Sequence, residues 1–71
     1  MNLEIKINQE IRVHTSYANP IFTGKFQGFT SLNQLPHLVI IQTSIEVDQV
    51  RLIPVTQIVC ISYNVTGIDR I

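Results

Sequence analysis

Apolar and polar residues alternate along most of this chain with the two-residue period of half-buried β-strands. Leu3, Ile5 and Ile7 alternate with Glu4 and Lys6 before the polar run Asn8-Gln9-Glu10 interrupts them. Ile11, Val13 and Thr15 then resume on the same parity, which predicts a first strand near residues 10–16 preceded by an extended arm at 2–7. Asn19-Pro20 marks a turn, because proline fixes φ and restricts the residue before it. In Ile21-Phe22-Thr23-Gly24-Lys25-Phe26-Gln27-Gly28-Phe29, two glycines share a face with Phe22 and Phe26, the pattern of a long strand that bends sharply. Thr30 to Pro36 is polar and proline-broken, so a loop is expected there. Leu38-Val39-Ile40-Ile41, inside the run His37 to Gln42, is apolar on both faces and reads as a strand covered from two sides. The next alternation, Ile45 and Val47, slips phase near Asp48-Gln49 to Val50 and Leu52, which implies a bulge or a turn. Pro54 closes that strand, Pro54 to Gln57 forms one tight turn, and Ile58 to Tyr63 forms the last strand. The tail from Asn64 to Ile71 carries no clear pattern.

Five short strands at hairpin-like spacings predict one all-β domain over residues 1–71. A sheet of that size closes on itself as a small, strongly bent, SH3-like barrel over about residues 10–63. Composition agrees. Ile, Val and Thr supply 25 of the 71 residues and alanine occurs once, and β-branched side chains pack well on a pleated sheet.

Length and charge bear on how such a domain is stabilised. A domain this small buries only about 60% of the surface its unfolded chain exposes. A single cysteine, Cys60, forbids an internal disulfide, and His14 and His37 belong to no metal-ligand spacing, so oligomerisation is the remaining staple. Charged residues are 14% of the chain, against about 25% in ordinary soluble domains, while apolar residues reach 45%. That excess of apolar surface is expected to be covered by further copies of the chain. No run is long enough to cross a membrane and the first residues do not resemble a secretory signal, so the expected location is cytoplasmic. For that reason Asn64-Val65-Thr66 is not read as a glycosylation acceptor.

The order of features carries a resemblance. Phe22-x-Gly24-x-Phe26-x-Gly28-Phe29, followed by a loop and an apolar strand, resembles the first motif of the Sm-like proteins, the family that includes bacterial Hfq. Val50 to Ile61, a strand, a tight turn and Ile58-Val59-Cys60-Ile61, resembles the second. The match covers roughly residues 10–63. This chain departs from the family in carrying Thr30 in place of an acidic residue and a longer first loop. It also has Pro54-Val55 where many members have Arg-Gly or Lys-His, and an extended arm in place of the N-terminal helix. The resemblance implies a cyclic homo-oligomer in which the last strand of one subunit pairs with the fourth strand of its neighbour. Ile58 to Tyr63 supports this on its own, because it holds no charge and no proline and would invite aggregation as an open edge.

The resemblance also implies single-stranded RNA in pockets around the pore. By position these would be lined by Asn33 or His37 from the first loop and Thr56 and Gln57 from the second turn, with Arg51 placed to meet phosphate. An Asn amide can pair with a base edge and a His ring can stack on one. Each also has a plainer role, as a solvated loop residue, a turn former or a partner for Glu46 or Asp48. Phe22, Phe26 and Phe29 are expected in the core rather than as stacking platforms, and Cys60 as a buried, inert thiol. No serine or cysteine stands beside a histidine in a nucleophile motif, no carboxylates are paired for acid–base work, and no cofactor is implied, so an enzyme is not expected. A net charge of zero leaves three readings open: an RNA-binding ring, a protein-assembly module, and a monomeric barrel that binds an extended peptide.

Overall fold

A computed structural model describes residues 5–64; positions 2–4 of the expected arm and the tail beyond Asn64 lie outside the described residues. The chain forms five strands, β1 (Glu10–Thr15), β2 (Ile21–Leu32), β3 (Leu35–Gln42), β4 (Gln49–Pro54) and β5 (Ile58–Tyr63), with one 3-10 turn at Val55–Gln57. They make a single antiparallel sheet in the order β4-β3-β2-β1-β5. Among the described residues no helix is long and apolar enough to cross a membrane.

The sheet is strongly bent, and connectivity shows why. Through β3, the end of β4 lines up with Thr30 far along β2 (Pro54↔His37↔Thr30). The start of β5 pairs with Thr15, beside the beginning of β2 (His14↔Ile21). On a flat sheet these points would be separated by about 30 Å along β2 alone, at 3.3 Å per residue. The chain covers the gap with Val55–Gln57, four Cα steps that span at most about 15 Å. β2 therefore has to fold back on itself. It does so where Gln27 is an extra residue between Phe26↔Ile40 and Gly28↔Val39, with Gly28 at φ +108°. A side chain is strained at that φ and glycine is not. The bend brings the ends of β4 and β5 together, but the two strands do not pair, so the sheet is open along β4 and β5.

The concave face holds the core. Ile11 and Val13 of β1, Phe26 of β2, Leu38 and Ile40 of β3, and Ile53 of β4 are buried, with Ile5 of the arm. Phe22, Ile58, Ile61 and Tyr63 pack against them. Just after the arm, Asn8 N donates to Phe26 O (2.7 Å) and Phe26 N donates to Gln9 O (2.8 Å). Each fully buried aliphatic side chain contributes about 1.5–3 kcal/mol, so a core this small leaves the margin thin.

Several sequence expectations need correction. Thr30 to Pro36 is not a loop: β2 and β3 run through it and meet in a two-residue turn, Asn33 (φ 52°) and Gln34 (φ 65°). Positive φ at both central positions is the type I′ hairpin signature. Pro36 is tolerated because Leu32↔Leu35 closes the turn and Ser31↔Pro36 is the following, non-hydrogen-bonded pair. The missing N–H therefore points away from β2, on the side where β4 begins to pair only at His37. The alternation at Ile45 and Val47 is not strand: both are exposed in the β3–β4 loop, where Ser44 Oγ and Val47 hydrogen-bond. β4 also turns opposite to its apolar pattern. Arg51 and Ile53 pair with the buried Ile40 and Leu38, while Val50 and Leu52 lie on the outer face with Ile41 and Val39.

Cys60 is exposed rather than buried. The register shifts between Thr15↔Ile58 and His14↔Cys60, leaving Val59 as an extra residue. That bulge turns Ile61 and Tyr63 inward beside Val13 and Ile11 and leaves Cys60 on the outer side. Of the three phenylalanines, Phe26 is buried and Phe22 packs on the core, but Phe29 is 50% exposed, its ring edge-on to Phe26 at 5.7 Å.

Candidate functional site

The five residues singled out from the sequence fall into two places. Asn33 sits at the tip of the β2–β3 hairpin, exposed, its left-handed φ set by the turn. His37 is four residues on, in β3, and only 7% exposed. Its Nδ1 is 2.9 Å from the Leu35 carbonyl oxygen. A carbonyl only accepts, so Nδ1 carries the hydrogen. A ring so enclosed and bonded is a structural histidine and offers no face for stacking in this conformation.

The second place is richer. The 3-10 turn puts Thr56 in solvent and Gln57 half-buried, and it docks on the start of the β1–β2 loop. There Ser16 N donates to the Gln57 carbonyl (3.0 Å) and Ser16 Oγ bonds the Gln57 side-chain carbonyl. The next residue, Tyr17, sets its ring edge-on to Phe22, with centroids 6.4 Å apart. Phe22 in turn carries the Arg51 guanidinium, 5.2 Å above its ring centroid. Arg51 Nε donates to Gln42 Oε1 (2.8 Å), and Gln42 Nε2 donates to the Thr23 carbonyl (3.3 Å). Gln57, Ser16, Tyr17, Phe22, Arg51 and Gln42 thus form a continuous polar and aromatic string across the strands.

The string follows from the fold. Arg51 and Gln42 lie on the concave rows of β4 and β3, and Phe22 on that of β2, beyond the last fully buried residues. There the core gives way to solvent, so an arginine can lay the face of its guanidinium on a ring and keep its N–H edge wet. Arg51 is not a partner for Glu46 or Asp48: its neighbours are Gln42 and Phe22, and among the described residues Nε is its one donor with a partner.

Sequence reasoning placed Arg51 and Gln57 in one site and missed Tyr17, Gln42 and Ser16. Phe22, expected in the core, packs against it and also carries Arg51 on its ring. Thr15 Oγ1 and Thr15 N both donate to the Pro20 carbonyl (2.9 and 2.7 Å), tightening the loop that presents Tyr17.

Among the described residues no group of three His, Cys, Asp or Glu side chains could hold a metal ion. Comparison with protein families, with curated proteins and with solved structures finds no match.

Proposed function

We propose that this chain is an Sm-like subunit whose bent sheet completes a barrel by assembling into a homo-oligomeric ring that binds single-stranded RNA. The observation that carries the reading is the pair of free edges. β4 and β5 end the sheet on opposite sides, and among the described residues no further strand pairs with the outer edge of either. β5 lacks the charge or proline that guards a permanent edge, and Val59 on it is 71% exposed. Pairing β5 of one copy with β4 of the next satisfies both edges, buries Val59 and repeats around a closed ring.

The RNA part rests on side-chain chemistry. Arg51 beside Phe22 and Tyr17 offers a cation and aromatic surface together, with Thr56 and Gln57 adjacent through Ser16, and Asn33 at the hairpin tip as a separate polar contact. Sequence-tolerant binding of single strands uses this combination of stacking and cation. With five basic residues per chain, stacking carries much of the binding and the salt dependence is shallow. The test is titration of the full chain with fluorescent oligo-U and oligo-A at micromolar protein and two salt concentrations. Saturable binding with a small loss at high salt is expected; no binding at low salt overturns the RNA reading.

A second reading keeps the assembly and replaces RNA by a protein partner. It is favoured by the zero net charge and by the apolar outer row of Val39, Ile41, Val50 and Leu52. Copurification of a stoichiometric protein with no nucleic acid would select it.

A further inference from the structure

The side chains around Phe22 have a direction that the ring reading does not use. Arg51 is held at two points, its guanidinium over the Phe22 ring and its Nε on Gln42, and Gln42 is itself bonded to the Thr23 backbone. An arginine held this way has lost much of its freedom before any ligand arrives, which lowers the cost of binding. Among the described residues its two Nη groups have no acceptor, and the residue is exposed. That is a preset fork, and a planar pair of N–H donors matches the oxygens of a phosphate. Beside Phe22 stands Tyr17, 42% exposed, with its ring perpendicular to Phe22 and the centroids 6.4 Å apart.

We infer that Tyr17, Phe22 and Arg51 form a nucleotide subsite, in which the Arg51 fork takes the phosphate and the Tyr17 ring takes the base. The inference rests on the RNA reading above and names where one nucleotide of the strand is held. The Gln42–Thr23 bond makes Gln42 a positioning residue for the fork. The same chemistry serves a free nucleotide and a nucleotide within a strand, so the experiment includes both.

The full chain is titrated, by two-dimensional NMR, with uridine 5′-monophosphate, uridine, inorganic phosphate and oligo-U, as wild type and as Arg51→Gln, Arg51→Lys and Tyr17→Leu. Both altered side chains are exposed, and circular dichroism verifies that each variant keeps its β-sheet. The nucleotide should bind more tightly than uridine or phosphate alone, with shifts centred on residues 15–24, 42 and 51. Arg51→Gln should weaken the nucleotide by about tenfold or more, the size of a lost pair of charge-assisted bonds, and leave uridine unchanged. Arg51→Lys, which keeps the charge and loses the fork, should not restore wild-type affinity. Tyr17→Leu should reduce the nucleotide to the affinity of phosphate. Equal binding of nucleotide and uridine, or an unchanged Arg51→Gln, overturns the subsite. If oligo-U binds the wild type and ignores these variants, the subsite falls and the RNA reading stands; if oligo-U does not bind the wild type, the RNA reading itself has failed.

Discussion

A methyl group at Gly24 would sit 2.7 Å from the Ile41 carbonyl oxygen and 3.2 Å from Ile40 Cδ1. The first of these is backbone in the adjoining strand and cannot step aside, so there is no room for a side chain at Gly24. Gly24→Ala is expected to destabilise the fold by about 1–3 kcal/mol, as overpacking does. The check is a lower urea midpoint at unchanged slope; an unchanged midpoint would show that the sheet opens there at no cost. The sequence marked this glycine as a bend, and the space around it explains the residue better than its conformation does. Cys60 shows the opposite case. Its alternation with Ile58 predicts burial, and one extra residue, Val59, sends the thiol to the other face. Parity counted along a strand is blind to a bulge, because the bulge is set by pairing with β1.

At the scale of elements, β1 and β5 were legible nearly to the residue, since each has proline, polar residues or a tight turn at its limits. β4 was legible at Pro54 but not at its start, because the alternation from Ile45 runs through a loop. The β2–β3 hairpin was not. Type I′ turns are recognised by Asn-Gly, and here Gln34 occupies the glycine's place at φ 65°. A left-handed residue with a side chain costs about 1–2 kcal/mol, and glycine's extra unfolded freedom costs about 0.5–1 kcal/mol. Gln34→Gly should therefore raise stability by somewhat under about 1 kcal/mol, seen as a higher thermal midpoint. A fall would mean that the turn draws support from the Gln34 side chain. The candidate site was legible only in part for a related reason. Arg51 and Gln57 belong to different elements from Tyr17 and Phe22, and the bend in β2 is what joins them.

For the molecule as a whole, the proposed ring joins the two edges of the sheet, β4 and β5. Lysine is a natural guard of exposed strands, and it extends from the edge into water. If the proposed ring forms, Val59→Lys is expected to convert it into monomers while the far-ultraviolet spectrum stays β, measured by light scattering on a size-exclusion column. A wild-type chain that is itself monomeric would overturn the ring, and a variant of unchanged mass would remove β5 from the interface. A small core and a wide spread of exposed apolar side chains, from Ile7 to Val59, make the same demand for cover.

The sequence by itself determined that the chain is β-structured, where most strands lie, and that Ile11, Val13, Leu38 and Ile40 belong to strands with a buried face. These are consequences of local period and of β-branched side chains, which need no partner to be read. Only the tertiary structure decided which face β4 turns inward, that Cys60 faces out, and that Arg51 lies on Phe22 beside Tyr17. Bulges, strand register and the fold of β2 on itself are settled between segments far apart in the chain, and no local pattern records them.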